Sequence, residues 1–372
     1  MSLVEKAMSA ALQKREEQGA LRHLSVQDSK IDFCSNDYIG FAHSEALYKR
    51  TVQKMEQLNK LNGSGGSRLL AGNSSYAEEL ESRLTRIHEA QAAIIFNSGY
   101  DANVGLFSSV PARGDTILYD ELVHASIHDG IRLSRADSFS FRHNDIAHLQ
   151  ERLQHAKGNI FVAVESIYSM DGDSAPLKDL SEICNSNNAS LIVDEAHATG
   201  VFGLGLTQQL KLQDKVFARV HTFGKAMGCH GAVILGSSVM IQYLINYARS
   251  FIYTTALPLH SLVTIDCAYT LLEHSKDVVV TLLDNIKHFR EQASKVGGEW
   301  IESSSAIQSL IVPGNENVKK LAMALQAHNF DVRPIRSPTV AKGKERLRIC
   351  LHSYNTFAQI DELMSRLKEN KI

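Results

Sequence analysis

Seven short apolar runs interleaved with helical patterns constrain this chain more than any other feature. Between residues 92 and 236 they read AAIIF, DTILY, DSFSF, NIFVAVES, SLIVDEA, VFARVHTF and GAVILG. Helical stretches are expected from about Asp101, through His124 to Arg135, from Asp145 to His155 and from Leu177 to Asn188. Such alternation predicts an α/β domain whose mostly parallel sheet, here of seven strands, is covered on both faces. Chemistry on such a sheet belongs in the loops that follow strands.

The flanks of this region read differently. At the N-terminus Leu3, Ala7, Ala11 and Leu12 recur at helical spacing. A polar helix is expected from about Ser44 to Leu70, running into the glycine-rich GSGGSRLLAGN, after which Ser75 and Glu78 form a capping box. Beyond residue 240 helical patterns dominate, NYARSFIYTTALP among them. A second alternation follows: QSLIVP, a helix over 316–328, FDVRPI, RLRICLHS and a last helix over 356–370. The expected organisation is an N-terminal helix and arm (1–36), a large α/β domain (37–272) and a small C-terminal α+β domain (273–372), as 372 residues allow.

Charge and cysteine content exclude several function classes. A net charge of −2 gives no general field for nucleic acid, and the one basic stretch, RPIRSPTVAKGKERLRI, suits a small anionic ligand. Five scattered cysteines argue against a disulfide framework and against a zinc site, and fit a reducing cytoplasm. The N-terminus lacks the apolar core of a signal peptide, and no apolar run is long enough to span a bilayer.

The residues at strand ends carry the chemistry. Asp194 closes SLIVD, a strand expected to be buried, and Lys225 lies in the small-residue turn TFGKAMG after a later strand. This is the pairing that pyridoxal phosphate (PLP) needs. A lysine holds the cofactor as a Schiff base, and a carboxylate keeps the pyridine nitrogen protonated so that the ring accepts electrons. Ser98, Gly99 and Tyr100 lie where a helix start can hold a phosphate, and Thr222 offers a hydroxyl. His124 begins a helix where an imidazole can lie on an aromatic ring, and Ser169 follows the strand NIFVAVES. Each has a plainer explanation: a surface lysine, a structural ion pair, caps and turn formers, or a histidine bonded to backbone. GSGGSR lacks the Gly-Lys-Ser/Thr ending of a nucleotide-binding loop.

In order and spacing, FCSNDYIGF (33–41), GSGGSRLLAGN (63–73), NSGYDAN (97–103), DELVHASIHDGIRLS (120–134), ESIYSMDGDSAPL (165–177), VDEAHATG (193–200), HTFGKAMG (221–228), YTTALP (253–258) and IRSPTVAKGKERLRI (335–349) resemble the α-oxoamine synthase family of fold-type I PLP-dependent transferases. The resemblance runs nearly end to end. It implies Lys225 as the Schiff-base lysine, Asp194 on the pyridinium nitrogen, His197 on the ring hydroxyl and His124 stacked on the ring. It further implies Gly99, Tyr100 and Thr222, beside Ser98, around the phosphate, Ser169 near the ring hydroxyl, and Thr255 reaching the phosphate of a neighbouring subunit in a homodimer. On the substrate side it implies Arg348 as the amino-acid carboxylate anchor, with Arg22, Asn36 and Thr339.

The activity implied is decarboxylative condensation of L-alanine with a pimeloyl thioester, carried by coenzyme A or acyl carrier protein. Relatives with the same residues join glycine to short acyl groups or serine to long ones. The segment between Arg22 and Asn36 is shorter than the family pattern, which implies a reshaped acyl-end pocket. An aminotransferase and a non-catalytic α/β binding protein remain as other readings. The binding protein is disfavoured because Lys225, Asp194 and His124 are all present.

Overall fold

All seven apolar runs form strands of one sheet: β1 (Ala92–Phe96), β2 (Thr116–Asp120), β3 (Asp137–Phe141), β4 (Ile160–Glu165), β5 (Ala189–Asp194), β6 (Ala218–Thr222) and β7 (Ala232–Gly236) in this computed structural model. It describes residues 1–24, 26, 30–58 and 61–370. The spatial order is β1-β7-β6-β5-β4-β2-β3. From β6 to β3 all neighbours are parallel, and β7 runs antiparallel to β1 and β6. The central strands are buried along most of their length because Ile, Val, Leu and Ala point to both faces. Edge strand β3 instead leaves Asp137, Ser138 and Phe139 exposed.

Two units make up the chain, one of residues 36–169 and 174–279, the other of 1–35, 170–173 and 280–372. The sheet and its helices form the first. Its core joins Ile94, Phe96, Leu106, Phe107, Ile117, Val162, Val164 and Ile192, each aliphatic or aromatic side chain contributing roughly 1.5–3 kcal/mol by leaving water. Helix Gly99–Ser109 starts at Ser98, whose Oγ accepts from the Asp101 amide at 3.0 Å. Helix Ile146–His155 starts in the same way at Asp145.

In the second unit, strands Arg333–Ile335, Arg346–Cys350, Ile307–Ile311 and Glu299–Trp300 form an antiparallel sheet in that order. Helices Asn315–Ala327 and Phe357–Glu369 accompany it, and Ile31–Asp32 pairs in parallel with Phe330–Asp331. Residues 170–173 belong to this unit through hydrogen bonds from Ser309 to the Met170 carbonyl and from Ser303 to the Gly172 carbonyl, both 2.8 Å. A buried ion pair joins Arg346 to Asp171. Helix Leu3–Glu17 has the expected period but buries none of its residues.

Three local expectations are corrected. The helix expected over 44–70 ends at Glu56, well before the glycine-rich loop, in which Gly65 has φ +73°. Residues 59 and 60 of that expected helix lie outside the described residues. Ser74, not Ser75, caps the next helix, accepting from the Ala77 amide at 3.2 Å. In NYARSFIYTTALP only Arg249–Ile252 is a further helical turn, and Pro258 disfavours helical backbone at Leu257. Among the described residues no helix is long and apolar enough to cross a membrane.

Candidate active site

Asp194 ends β5 in the sheet-bearing unit and is 5% exposed. The carboxylate accepts from the Ala196 amide at 2.9 Å and from Asn103 Nδ2 at 2.7 Å. Asn103 also donates to Ser126 at 3.0 Å. These donors satisfy the buried carboxylate without a cation. Lys225, in the turn after β6, is half-buried, and its Nζ lies 2.7 Å from His197 Nε2. His197 sits three residues beyond Asp194, and its Nδ1 lies 2.7 Å from the Tyr38 hydroxyl, which donates to Asn36 Oδ1 at 3.0 Å.

Glu165 is a further group that sequence reasoning passed over. It ends β4 in register with Asp194, is buried, and leaves Oε1 without a hydrogen-bond partner. Burial pushes its carboxyl up to about 8, with Asp194 adding to the effect and Lys225 and the backbone amides of His124 and Ser169 opposing it. An acidic residue ending an apolar strand, as Asp194 does, was the available signal. Asn103 and Tyr38 carried none: a helical Asn and a tyrosine in FCSNDYIGF reveal their partners only in three dimensions.

His124 precedes helix Ala125–Leu133, with Nδ1 2.8 Å from Ser126 Oγ and accepting from the Ser126 amide at 3.2 Å. Burial lowers the pKa of the imidazole, Asp194 opposing and Lys225 adding. Ser169 is buried and gives its amide to Glu165.

Where helix Gly99–Ser109 meets the end of β6 the structure forms a cradle. A Cβ on Gly99 would collide with Thr222 Oγ1, so the start of helix Gly99–Ser109 approaches the end of β6 as only glycine permits. The first amides of that helix have no partner within it, and its dipole favours an anion. Tyr100 is exposed and donates its hydroxyl to Asp129. Asn97 Nδ2 donates to Thr254 Oγ1 at 2.9 Å and to the Thr255 carbonyl at 2.8 Å, which fixes the backbone of Thr255 beside the cradle.

Four expected substrate residues divide between the units. Asn36 is in the sheet-bearing unit, where it meets Tyr38. Arg22, Thr339 and Arg348 are in the other. There Arg22 donates to Thr339 Oγ1 at 3.1 Å, and the Arg336 guanidinium bonds the Gly19 and Leu21 carbonyls just before Arg22. Arg348 is buried at the middle of its strand, opposite Ser309. The expectation about the segment between Arg22 and Asn36 falls in part on residues 25 and 27–29, which lie outside the described residues.

Residues 28–367 match the family model for aminotransferase class I and II. The chain is also 43% identical to an 8-amino-7-oxononanoate synthase of Emericella nidulans, over 97% of this chain and 94% of that relative. It belongs to the α-oxoamine synthases. Another 8-amino-7-oxononanoate synthase, from Lysinibacillus sphaericus, is 36% identical over 96% of both chains.

Solved structures agree with this α-oxoamine synthase in fold. A variant serine palmitoyltransferase from S. paucimobilis, with a PLP–myriocin aldimine bound, superposes with a TM-score of 0.89 at 25% identity, covering 100% of this chain and 98% of that one. The 8-amino-7-oxononanoate synthase of Francisella tularensis does so with a TM-score of 0.80 at 30% identity, covering 92% and 98%. The fold-type I assignment therefore holds.

Proposed function

We propose that this α-oxoamine synthase binds PLP and joins L-alanine to a pimeloyl thioester, releasing CO₂ and the thiol carrier to give 8-amino-7-oxononanoate, a step of biotin synthesis. The observation that carries the reading is 43% identity, over nearly the full length of both chains, to a synthase of that name. Serine palmitoyltransferases resemble the chain in fold at 25% identity, which favours them less as a guide to substrate.

The residues present fit PLP. Asp194 offers a buried carboxylate for a pyridinium nitrogen, Lys225 an amine for the aldehyde, and His197 an imidazole beside that amine for the ring hydroxyl. The Gly99–Thr222 cradle, closed to any Cβ, suits the phosphate. When bound, PLP supplies an electron sink for negative charge developing at the amino-acid Cα.

The protein's own groups have the following parts. Asp194 holds a proton at the ring nitrogen. Glu165, neutral at pH 7, spares Asp194 a second negative charge across the strands. His197 orients the Lys225 amine through the 2.7 Å contact, and that amine removes a proton from the alanine Cα and later returns one. His124 covers the ring face. Ser98, Gly99, Tyr100 and Thr222 bind the phosphate, and Ser169 lies toward the ring hydroxyl. Arg348 binds the alanine carboxylate through its planar fork, with Asn36, Arg22 and Thr339 on the substrate side. The active unit is a homodimer in which Thr255 serves the partner's phosphate site, and five free cysteines suit a cytoplasmic protein.

The experiment is borohydride reduction of the PLP-loaded protein with peptide mapping, beside thiol release measured for alanine, glycine and serine against pimeloyl, acetyl and palmitoyl thioesters. An adduct on Lys225 and release greatest for alanine with the pimeloyl thioester are expected. Release greatest for serine with the palmitoyl thioester would replace the substrate assignment.

A further inference from the structure

Lys225 is the first member of a hydrogen-bonded series that passes through Tyr38, a residue the mechanism has not used. From Lys225 Nζ the series runs to His197 Nε2 at 2.7 Å, from His197 Nδ1 to the Tyr38 hydroxyl at 2.7 Å, and from that hydroxyl to Asn36 Oδ1 at 3.0 Å. Tyr38 and His197 are both buried.

The direction of each bond follows from what the groups can do. The amide oxygen of Asn36 only accepts, so the Tyr38 hydrogen points to it. Tyr38 then has only its oxygen to present to His197, and a neutral imidazole meets that oxygen best with Nδ1–H. Nε2 is left with its lone pair toward Lys225, whose amine donates. We propose that Tyr38 is a positioning residue that selects the Nδ1–H tautomer of His197 and so keeps a proton-accepting nitrogen facing Lys225. The proposal rests on the reading of Lys225 as the reactive amine.

A phenylalanine at 38 would fill the same space and remove the oxygen. The buried Nδ1–H would lose its acceptor, and moving the hydrogen to Nε2 would set a donor against the Lys225 amine. Both alternatives are worse, so the single tautomer is lost and Lys225 is held less well.

The test is the nitrogen-15 spectrum of histidine-labelled protein, with and without bound PLP, the His197 signals being assigned by their absence in His197→Gln. The expected result is a protonated Nδ1 and an unprotonated Nε2 in the wild type. Tyr38→Phe should lose that single state and lower kcat about tenfold or more with little change in KM for alanine, while Asn36→Asp, which keeps an acceptor for the Tyr38 hydrogen, should retain the tautomer. An unprotonated Nδ1 in the wild type, or a wild-type spectrum in a folded Tyr38→Phe protein, would overturn the proposal. If Tyr38→Phe does not fold, the wild-type and Asn36→Asp spectra still decide it. The ring spectrum does not depend on which amino acid or thioester reacts, so failure here is distinct from failure of the substrate assignment.

Discussion

Glu165 and Asp194 stand side by side at the ends of adjacent parallel strands, paired residue to residue in the sheet register. Asp194 has a hydrogen bond to each oxygen, while Glu165 buries Oε1 without one. Burial raises the Glu165 carboxyl, with Asp194 adding to the effect, so Glu165 holds a proton that an exposed glutamate would have lost. A buried neutral acid thus underlies the carboxylate assigned to the cofactor.

Stability should record this proton. The Glu165 carboxyl rises from 4.5 to about 8 on folding, so between those values the folded state holds a proton that the unfolded state has released. Stability therefore falls as pH rises through that window, by at most about 1.4 kcal/mol per pH unit. Glu165→Gln should remove the dependence, its thermal midpoint gaining on the wild type from pH 5 to pH 8. Equal gaps at both pH values would contradict a neutral Glu165.

An opposite limb comes from a buried histidine pair, His88 and the β6 residue His221. His88 and His221 lie with ring centroids 4.4 Å apart, His88 Nε2 meeting the Tyr269 hydroxyl and His221 Nδ1 meeting Thr199 Oγ1. Burial pushes His88 down from 6.5 to about 3, with Arg219 adding, and lowers His221 well below its ordinary value. The unfolded chain takes up protons below pH 6.5 that the folded chain refuses, so this stability is lost as pH falls from 6.5 toward 3. A wild-type acid-unfolding curve should be steeper than that of a folded His88→Asn variant, compared by circular dichroism.

At Asp194, substitution by Asn keeps the shape and removes the charge. Turnover should fall at least about 100-fold, while PLP remains attached to Lys225, as borohydride trapping would reveal. Near-normal turnover would remove Asp194 from its assigned role.

The phosphate cradle has its own probe. Gly99→Ala forces a methyl group against Thr222 Oγ1, and overpacking of this kind costs about 1–3 kcal/mol. PLP should bind more weakly and the melting temperature should drop. A Gly99→Ala protein with unchanged PLP affinity would show that the cradle does not hold the phosphate.

The apolar strands could be read from the sequence because buried parallel strands are apolar on both faces, and Asp194, His197 and Lys225 could be placed because each lies at or just after the end of such a strand. Gly99 and Thr222 were expected together around the phosphate from the resemblance, but the direct contact between them was not. Their contact depends on where β6 lies relative to helix Gly99–Ser109, and strand order is not written in local periodicity. Tyr38 and Asn103 escaped for the same reason, since their partners are 159 and 91 residues away. The helix after Ser44 was expected to run too far because polar residues at helical spacing give no local sign of its stop at Glu56.

The central claim is a condensation in which the alanine carboxyl is lost, and the most direct test gives the PLP-loaded protein L-alanine labelled with carbon-13 in that carboxyl, together with a pimeloyl thioester. The account predicts labelled CO₂ and free thiol in equal amounts, only when both substrates are present, and an unlabelled aminoketone product. Thiol released without labelled CO₂, or alanine converted to its keto acid without thiol, would contradict it.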